Sequence, residues 1–145
     1  MTEMKILLAV DGSRHSLNAV KYLIEHAGWY REMPAVQLVN VRLPVPKIGG
    51  MGAVIGVKQI QRYYHEEGRK ALSKARKLLD SAGITYSANI FVGPVAETLL
   101  KEAKFSRCDL IMIGTRGMTA VGNLLMGSTA AKVMNLSTIP VLLVK

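Results

Sequence analysis

Residues 110–117, with the sequence LIMIGTRG, join a short apolar run to a glycine-rich turn. Four apolar residues in succession, 110–113, are typical of a strand that is buried on both faces of a parallel sheet. Nine residues later, Gly127-Ser128-Thr129 opens a stretch that we predict to be helical as far as Leu136, and another apolar run follows at residues 140–144. A strand, a helix and a second strand in this order indicate a parallel βαβ unit.

The same alternation extends toward the N-terminus. Strands are predicted at residues 4–10, 35–43 and 85–92. Between them, Ser13 is a plausible N-cap for a first helix, and Gly83 is a natural stop for a second, longer one. Pro94 fits the first turn of a third helix. This pattern predicts an α/β fold, in which one doubly wound, five-stranded parallel sheet carries helices on both faces and residues 1–145 form a single domain.

The order of the strands follows from where ligands bind in such sheets. Open α/β sheets bind ligands beyond the carboxyl ends of their strands, at the point where the strand order reverses. Asp11 lies just beyond the first predicted strand, and Gly114 lies just beyond the fourth. The two residues converge on one site only if these strands are neighbours, which predicts the order 3-2-1-4-5.

The glycines beyond the fourth strand are typical of a phosphate site. A glycine has no Cβ, so the backbone N–H groups of Gly114 and Gly117 can approach an anion closely. Gly127, Ser128 and Thr129 begin a helix, whose first N–H groups and positive dipole end favour a phosphate. The pattern therefore indicates a nucleotide. The alternative is that the glycines only shape a turn and let a helix pack closely.

A P-loop is excluded by one residue. The stretch 122–129, GNLLMGST, has the glycine spacing of a P-loop, but Ser128 stands where that motif needs its phosphate-binding lysine. Such a lysine is part of the machinery that P-loop enzymes use for phosphoryl transfer. We therefore do not expect a P-loop NTPase.

Composition excludes several other classes of protein. The net charge of +9 invites an anionic partner. However, the exposed face of one amphipathic helix explains the main basic cluster, which consists of Arg69, Lys70, Lys74, Arg76 and Lys77. No aromatic residues alternate with these charges. We therefore do not expect nucleic-acid binding. The one cysteine, Cys108, precedes an apolar strand and is expected to be a buried, inert thiol. No apolar run is long enough to span a membrane, so a cytoplasmic location is expected.

Five stretches together resemble one known family over nearly the whole chain. They are KILLAVDGS at residues 5–13, GPVAE at 93–97, CDLIMIGTRG at 108–117, Gly127-Ser128, and IPVLLV at 139–144. In these stretches the chain resembles a single-domain universal stress protein. The glycine run is similar to the form found in the ATP-binding branch of that family.

The resemblance implies a role for each matching position. Asp11 would contact the adenosine part of ATP beside Ala9 and Val10, and Val41 would offer its backbone to the adenine edge. Ile113 and Gly114 would border the ribose. The phosphates, with a shared Mg²⁺ or Mn²⁺ ion, would be surrounded by Arg116, Gly117, Gly127, Ser128 and Thr129. Three alternatives stay open: Asp11 could cap the first helix, Val41 could be only a core residue of its strand, and Arg116 could be a solvated side chain.

No catalytic residues are assigned. Without a P-loop lysine and with Asp11 as the one carboxylate expected near the site, ATP turnover should be slow at most. We therefore expect an ATP-binding stress-response or regulatory protein. The alternatives are a signalling scaffold that binds no nucleotide and acts through protein–protein contacts, and an α/β enzyme acting on adenylated substrates.

Two further expectations concern a loop and an edge. Residues 44–57, rich in glycine and proline, form either a mobile flap over the nucleotide or a simple connector. The last strand is apolar on both faces yet lies at an edge in the order 3-2-1-4-5, which is a pairing hazard. A homodimer joined through Val141, Leu142, Leu143 and Val144 is expected, and the family resemblance points the same way.

Overall fold

The computed structural model describes residues 3–45, 56–116 and 126–145. In these ranges the chain forms five strands and four α-helices, with one short 3₁₀ turn at Ala27–Trp29. In chain order they are β1 (Lys5–Ala9), α1 (Arg14–Glu25), β2 (Ala35–Arg42), α2 (Val57–Ser81), β3 (Tyr86–Val92), α3 (Val95–Phe105), β4 (Leu110–Gly114), α4 (Ser128–Leu136) and β5 (Val141–Val144). The alternation predicted from the sequence is confirmed.

The strands form one parallel sheet in the order β3-β2-β1-β4-β5. Leu8 of β1 lies beside Leu38 of β2 on one side and beside Met112 of β4 on the other. The predicted strand order is therefore confirmed. It places β1 at the centre and puts β3 and β5 at the two edges.

The core has two layers, one on each face of the sheet. Successive side chains of a strand point to opposite faces, so β1 sends Ile6 and Leu8 one way and Leu7 and Ala9 the other. Ile6 and Leu8 belong to the cluster that α1 and α2 cover. Leu7 and Ala9 belong to the cluster that α3 and α4 cover. Doubly covered strands explain why the sequence runs of β1 and β4 are continuously apolar.

Helix ends follow the expected chemistry with one difference. The Oγ of Ser13 accepts the N–H of Ser16 at 3.1 Å and caps α1 as predicted. Gly83 has φ +71°, the left-handed conformation that ends α2. Pro94 is the N-cap of α3 and not part of its first turn, because its ψ of 128° is extended and the helix begins at Val95.

Helix α2 is longer than the sheet it covers. Its 25 residues extend over about 37 Å at 1.5 Å per residue, whereas the eight residues of β2 extend over about 26 Å. Its first buried residue is Gly68, and none of residues 57–67 is buried. A helix that joins two parallel strands runs back along the sheet. The overhanging turns of α2 therefore stand at the carboxyl edge of the strands.

Two predictions about exposure and burial are confirmed among the described residues. All five basic side chains predicted on the exposed face of α2 are exposed, namely Arg69, Lys70, Lys74, Arg76 and Lys77. Cys108 is buried, and burial raises the pKa of its thiol, as an inert cysteine requires. None of the helices in the described ranges is long and apolar enough to cross a membrane. Most of the 44–57 loop (residues 46–55) and Gly117 lie outside the described residues.

Candidate functional site

A cavity of about 490 Å³ opens at the carboxyl edge of the sheet, where β1, β2 and β4 end. Ten of the eleven residues predicted for the site line it: Ala9, Val10, Asp11, Val41, Ile113, Gly114, Arg116, Gly127, Ser128 and Thr129. The eleventh, Gly117, lies outside the described residues. Stretches that are far apart in sequence therefore meet at the place where the predicted strand order required them to meet.

One end of the cavity, beside β2, is mainly apolar and has Arg42 as its charged side chain among the described lining residues. Val39 and Val41 of β2 line it together with Val95 and Leu99 of α3, and all four belong to the core cluster on the α3 and α4 face. Beyond β2, the chain adds Leu43, Pro44 and Val45 to the same wall. Tyr63, from the overhanging part of α2, completes this end.

The opposite end presents backbone and hydroxyl groups. Gly114, Thr115 and Arg116 leave β4 there, and Gly127, Ser128 and Thr129 begin α4. The N–H of Gly127 donates to the carbonyl of Thr115, which ties the start of α4 to the end of β4. This end therefore has a fixed backbone framework.

Within the described part of the chain, the start of α4 has no side-chain cap. Its N-cap residue is Gly127, and among the described residues no side chain hydrogen-bonds the N–H groups of its first turn. In α1, by contrast, the hydroxyl of Ser13 does so. The first N–H groups of a helix have no acceptor within the helix, and Ser128, Thr129 and Ala130 all line the cavity. The arrangement suits an anion.

Asp11 lies between the two ends, at the carboxyl end of the central strand. Its Oδ1 accepts the N–H of Ser13 at 2.8 Å, and its own N–H donates to the Oγ of Ser16 at 3.3 Å. The carboxylate thus supports the capping residue of α1 and does not cap the helix itself. Asp11 also lines the cavity, so its support of Ser13 leaves it at the position where the sequence expected a ligand contact.

Gly114 is required by packing. A Cβ at this position would lie 2.7 Å from the carbonyl oxygen of His15 and 3.2 Å from the Cα of Ser16. Both atoms are backbone atoms of α1, which cannot move without displacing the helix. The absence of a side chain lets the first turn of α1 pack directly on β4, so helix packing accounts for this glycine.

Asn40 is a supporting residue that sequence reasoning missed. Its side chain is buried, and its Nδ2 donates to the carbonyl of Val10 at 2.8 Å, while the N–H of Val10 donates to Val39 at 2.9 Å. These bonds hold the end of β1 beside β2 and so position Asp11. The Oδ1 of Asn40 has no hydrogen-bond partner among the described residues. A polar residue in an otherwise apolar strand was the available signal.

Eleven further lining residues were not predicted: Ser16, Val39, Arg42, Leu43, Pro44, Val45, Tyr63, Val95, Leu99, Thr115 and Ala130. Some of them could have been predicted from the sequence, since Val39 shares a strand face with Val41 and Thr115 continues the glycine turn. Tyr63 was not, because its position depends on how far α2 extends past the sheet.

An ion pair joins α3 and α4 beside the cavity. The Nζ of Lys132 on α4 lies 2.7 Å from the Oε1 of Glu97 on α3. Hydrogen bonding from Lys132 lowers the pKa of the Glu97 carboxyl.

In the described ranges, no group of three His, Cys, Asp or Glu side chains is placed to hold a metal ion. A cation at this site would need most of its oxygen ligands from a bound anion.

Solved structures with adenine nucleotides share this fold. The universal stress protein from Archaeoglobus fulgidus in complex with dAMP matches with a TM-score of 0.70 at 21% identity, covering 100% of both chains. A universal stress protein in complex with cAMP matches with a TM-score of 0.68 at 22% identity, covering 100% of this chain and 99% of the other. A universal stress protein family protein from Arabidopsis thaliana with AMP bound matches with a TM-score of 0.67 at 17% identity, covering 98% of this chain and 91% of the other.

Sequence comparison reaches the same family. The model of the universal stress protein family matches residues 3–145. Universal stress protein MJ0531 of Methanocaldococcus jannaschii is 33% identical over 142 residues, which cover 97% of this chain and 81% of that protein. The structure of MJ0577 from the same organism matches with a TM-score of 0.81 at 25% identity, covering 100% of this chain and 97% of the other. The chain therefore belongs to the universal stress protein family.

Proposed function

We propose that the cavity binds ATP, and that the protein is an ATP-binding stress-response or regulatory protein. The observation that carries the proposal is the contrast between the two ends of the cavity. The apolar end lies beside β2 and the anion-binding end beside β4, with β1 between them. Two strand spacings separate these ends by about 10 Å. A ligand with an apolar ring, a polar centre and an anionic tail fits this order.

Each part of the nucleotide has a candidate partner. We assign the base to the β2 end, where the backbone of Val41 would meet the adenine edge. Asp11, with Ala9 and Val10 beside it, is assigned to the adenosine part, and Ile113 and Gly114 to the border of the ribose. The phosphates are assigned to the start of α4, with Gly127, Ser128, Thr129, Arg116 and Gly117 around them.

A divalent cation would accompany the phosphates. Mg²⁺ is usually bound by one or two carboxylates together with substrate phosphates. Asp11 is the one carboxylate among the described lining residues, and the hydroxyls of Ser128 and Thr129 lie at the anion end. These groups fit an ion that arrives with the nucleotide and supplies charge neutralisation there.

Hydrolysis is expected to be slow at most. Efficient phosphoryl transfer needs positive charge on the transferring group and an oriented nucleophile. Among the described lining residues the cationic side chains are Arg42 and Arg116, and Arg42 lies at the end of β2, away from the start of α4.

The family members solved with cAMP, dAMP and AMP support the adenine nucleotide class, and ATP is the finer part of the proposal.

The experiment is a comparison of Gly127→Asp with Gly127→Ala. Gly127 has φ −71° and ψ 165°, an extended conformation that any residue adopts, so neither substitution strains the backbone. An aspartate at an N-cap accepts the N–H groups of the first turn and places a negative charge where the phosphate would bind. We expect Gly127→Asp to fold normally and to lose ATP binding by at least ~100-fold, about 2.7 kcal/mol.

Isothermal titration calorimetry with ATP and MgCl₂ measures the affinity, and circular dichroism checks the fold. Gly127→Ala is the control, because it adds only a methyl group and should keep binding within about 10-fold. Wild-type protein that binds no ATP, or Gly127→Asp that binds it unchanged, would refute the assignment.

We also propose that the protein is a homodimer joined through Val141, Leu142, Leu143 and Val144. These residues form β5 at one edge of the sheet. Antiparallel pairing with β5 of a second copy would satisfy the open edge and is compatible with a two-fold axis.

A further inference from the structure

We propose that Tyr63 is the aromatic platform on which the nucleobase stacks, so that the overhanging part of α2 helps this site favour a ligand that carries a base over one that has only phosphates. The inference rests on the proposed function, because it concerns the same cavity. It adds a residue that no motif in the sequence indicates. It also gives a role to turns of α2 that the core of the fold does not need.

The overhang brings Tyr63 to the cavity from the other side of the sheet. Helix α2 packs on the face that also carries α1, whereas Val41, Val95 and Leu99 of the cavity belong to the α3 and α4 face. A residue of α2 reaches the same cavity only where the helix passes beyond the strand ends. Tyr63 is the seventh residue of α2 and precedes the first buried position, Gly68, by five residues. It lines the cavity.

The chemistry of this wall suits a flat ring. Tyr63 is the one aromatic side chain among the described lining residues, and it stands at the end that Val41, Leu43 and Val45 make apolar. It is 49% exposed although it is large and aromatic. Aromatic side chains stack on nucleobases because every base presents a π-face. Binding of the base would bury the ring that is now exposed.

Tyr64 holds the platform in position. Its hydroxyl accepts the N–H of Val45 at 2.7 Å, which joins α2 to the segment that leaves β2. The rings of Tyr63 and Tyr64 have their centroids 6.0 Å apart with an interplanar angle of 58°, a tilted arrangement within the favourable range for aromatic pairs. Tyr64 is therefore a positioning residue, and Tyr63 is the residue that would touch the ligand.

The test separates the base from the phosphates. Titration calorimetry is performed with ATP and with inorganic tripolyphosphate, which has no base, both in MgCl₂. Tyr63→Ala should weaken ATP binding about 10-fold or more, within the range measured for stacked bases. Its affinity for tripolyphosphate should stay within about 2-fold of wild type. Tyr63→Phe keeps the ring and should bind ATP nearly as wild type does.

His65→Ala is the matched control, since His65 is an exposed residue of the same overhanging turns that does not line the cavity. Circular dichroism confirms that each variant is folded. Tyr63→Ala that binds ATP like wild type, or wild type that binds ATP no tighter than tripolyphosphate, would overturn the inference alone. A wild-type protein that binds neither ligand would overturn it together with the proposed function.

Discussion

Three glycines beside the cavity look alike in the sequence and differ in the structure. Gly12 has φ +88° and lies against Ala71 of α2, so both its backbone and its surroundings favour glycine. Gly114 faces the backbone of α1, which leaves no room for a Cβ. Gly127 has an extended backbone that other residues adopt. Of these three, Gly127 combines an extended backbone with a place at the start of α4 in the cavity wall, which makes it the informative position for a test of binding.

Gly114→Ala should therefore destabilise the fold. The added Cβ would lie 2.7 Å from the carbonyl oxygen of His15, and relief requires α1 to move away from β4. Overpacking of this kind typically costs about 1–3 kcal/mol. Urea denaturation should show a lower midpoint for Gly114→Ala than for wild type, while Gly127→Ala serves as the glycine-to-alanine control. Equal midpoints for wild type and Gly114→Ala would contradict the packing role.

Gly68 makes a second close approach, between α2 and β3. A Cβ there would meet three side-chain carbons of Ile90 at 2.5, 2.6 and 2.7 Å. Alanine favours a helix over glycine by about 1 kcal/mol, but a clash with most of the Ile90 side chain should cost about 1–3 kcal/mol. We expect Gly68→Ala to lower the free energy of unfolding and the addition of Ile90→Ala to remove the clash. A stabilised Gly68→Ala protein would show that Ile90 moves aside freely.

At the scale of elements, the strands and helices could be predicted from the sequence, but the distance by which α2 extends past the sheet could not. The bounds of α4, Ser128–Leu136, follow from Gly127 before it and the apolar spacing within it. The strand order followed from the need to bring Asp11 and Gly114 together. Periodicity says which face of α2 is apolar, but the overhang depends on the length of the strands it covers. Tyr63 and Asn40 escaped prediction because their roles depend on neighbours that are distant in sequence.

The ion pair between α3 and α4 gives a pH-dependent prediction. Lys132 lowers the pKa of Glu97 below its ordinary value of 4.5. A carboxyl whose pKa is depressed in the folded state stabilises that state above the unfolded pKa and loses this contribution as the pH falls through the folded pKa. The pair should therefore contribute fully at neutral pH, begin to lose this contribution as the pH falls below about 4.5, and cease to contribute once the pH is below the lowered pKa of Glu97.

Lys132→Met should raise the pKa of Glu97 toward its ordinary value. A carbon-detected NMR titration of the Glu97 carboxyl in wild type and variant measures the change. Lys70→Met is the control, because Lys70 pairs with Glu67 on α2 and has no contact with Glu97. An unchanged Glu97 titration in Lys132→Met would mean that the pair does not form in solution.

At the scale of the whole molecule, the two edges of the sheet have different chemistry. The β3 edge carries the exposed polar residues Ser87 and Asn89, so covering this edge with another chain would remove polar side chains from water. The β5 edge is apolar throughout, with Val141, Leu142 and Leu143 only partly buried. Beside it, α4 leaves Met134 and Leu136 exposed by 44% and 55%. The β5 edge is therefore the one at which a second copy is expected.

The hydrogen bonds of β5 indicate which residues would pair. The carbonyls of Pro140 and Val144 accept N–H groups from Ile111 and Thr115 on the β4 side. Because successive residues of a strand alternate in direction, the N–H groups of Val141 and Leu143 face the open edge. Leu143→Pro removes one such N–H from each copy and leaves the bonds to β4 intact, since proline is tolerated where the N–H faces away from the sheet.

Light scattering of the wild-type protein at tens of micromolar should report a dimer near 32 kDa, twice the 15.8 kDa of one chain. Leu143→Pro should shift the protein toward the monomer while circular dichroism still reports the fold. Leu143→Val, which keeps the N–H and an apolar side chain, should remain dimeric. A wild-type monomer would contradict the proposed dimer. A dimer that tolerates Leu143→Pro would place the interface away from β5, because antiparallel pairing cannot form its full set of bonds without that N–H.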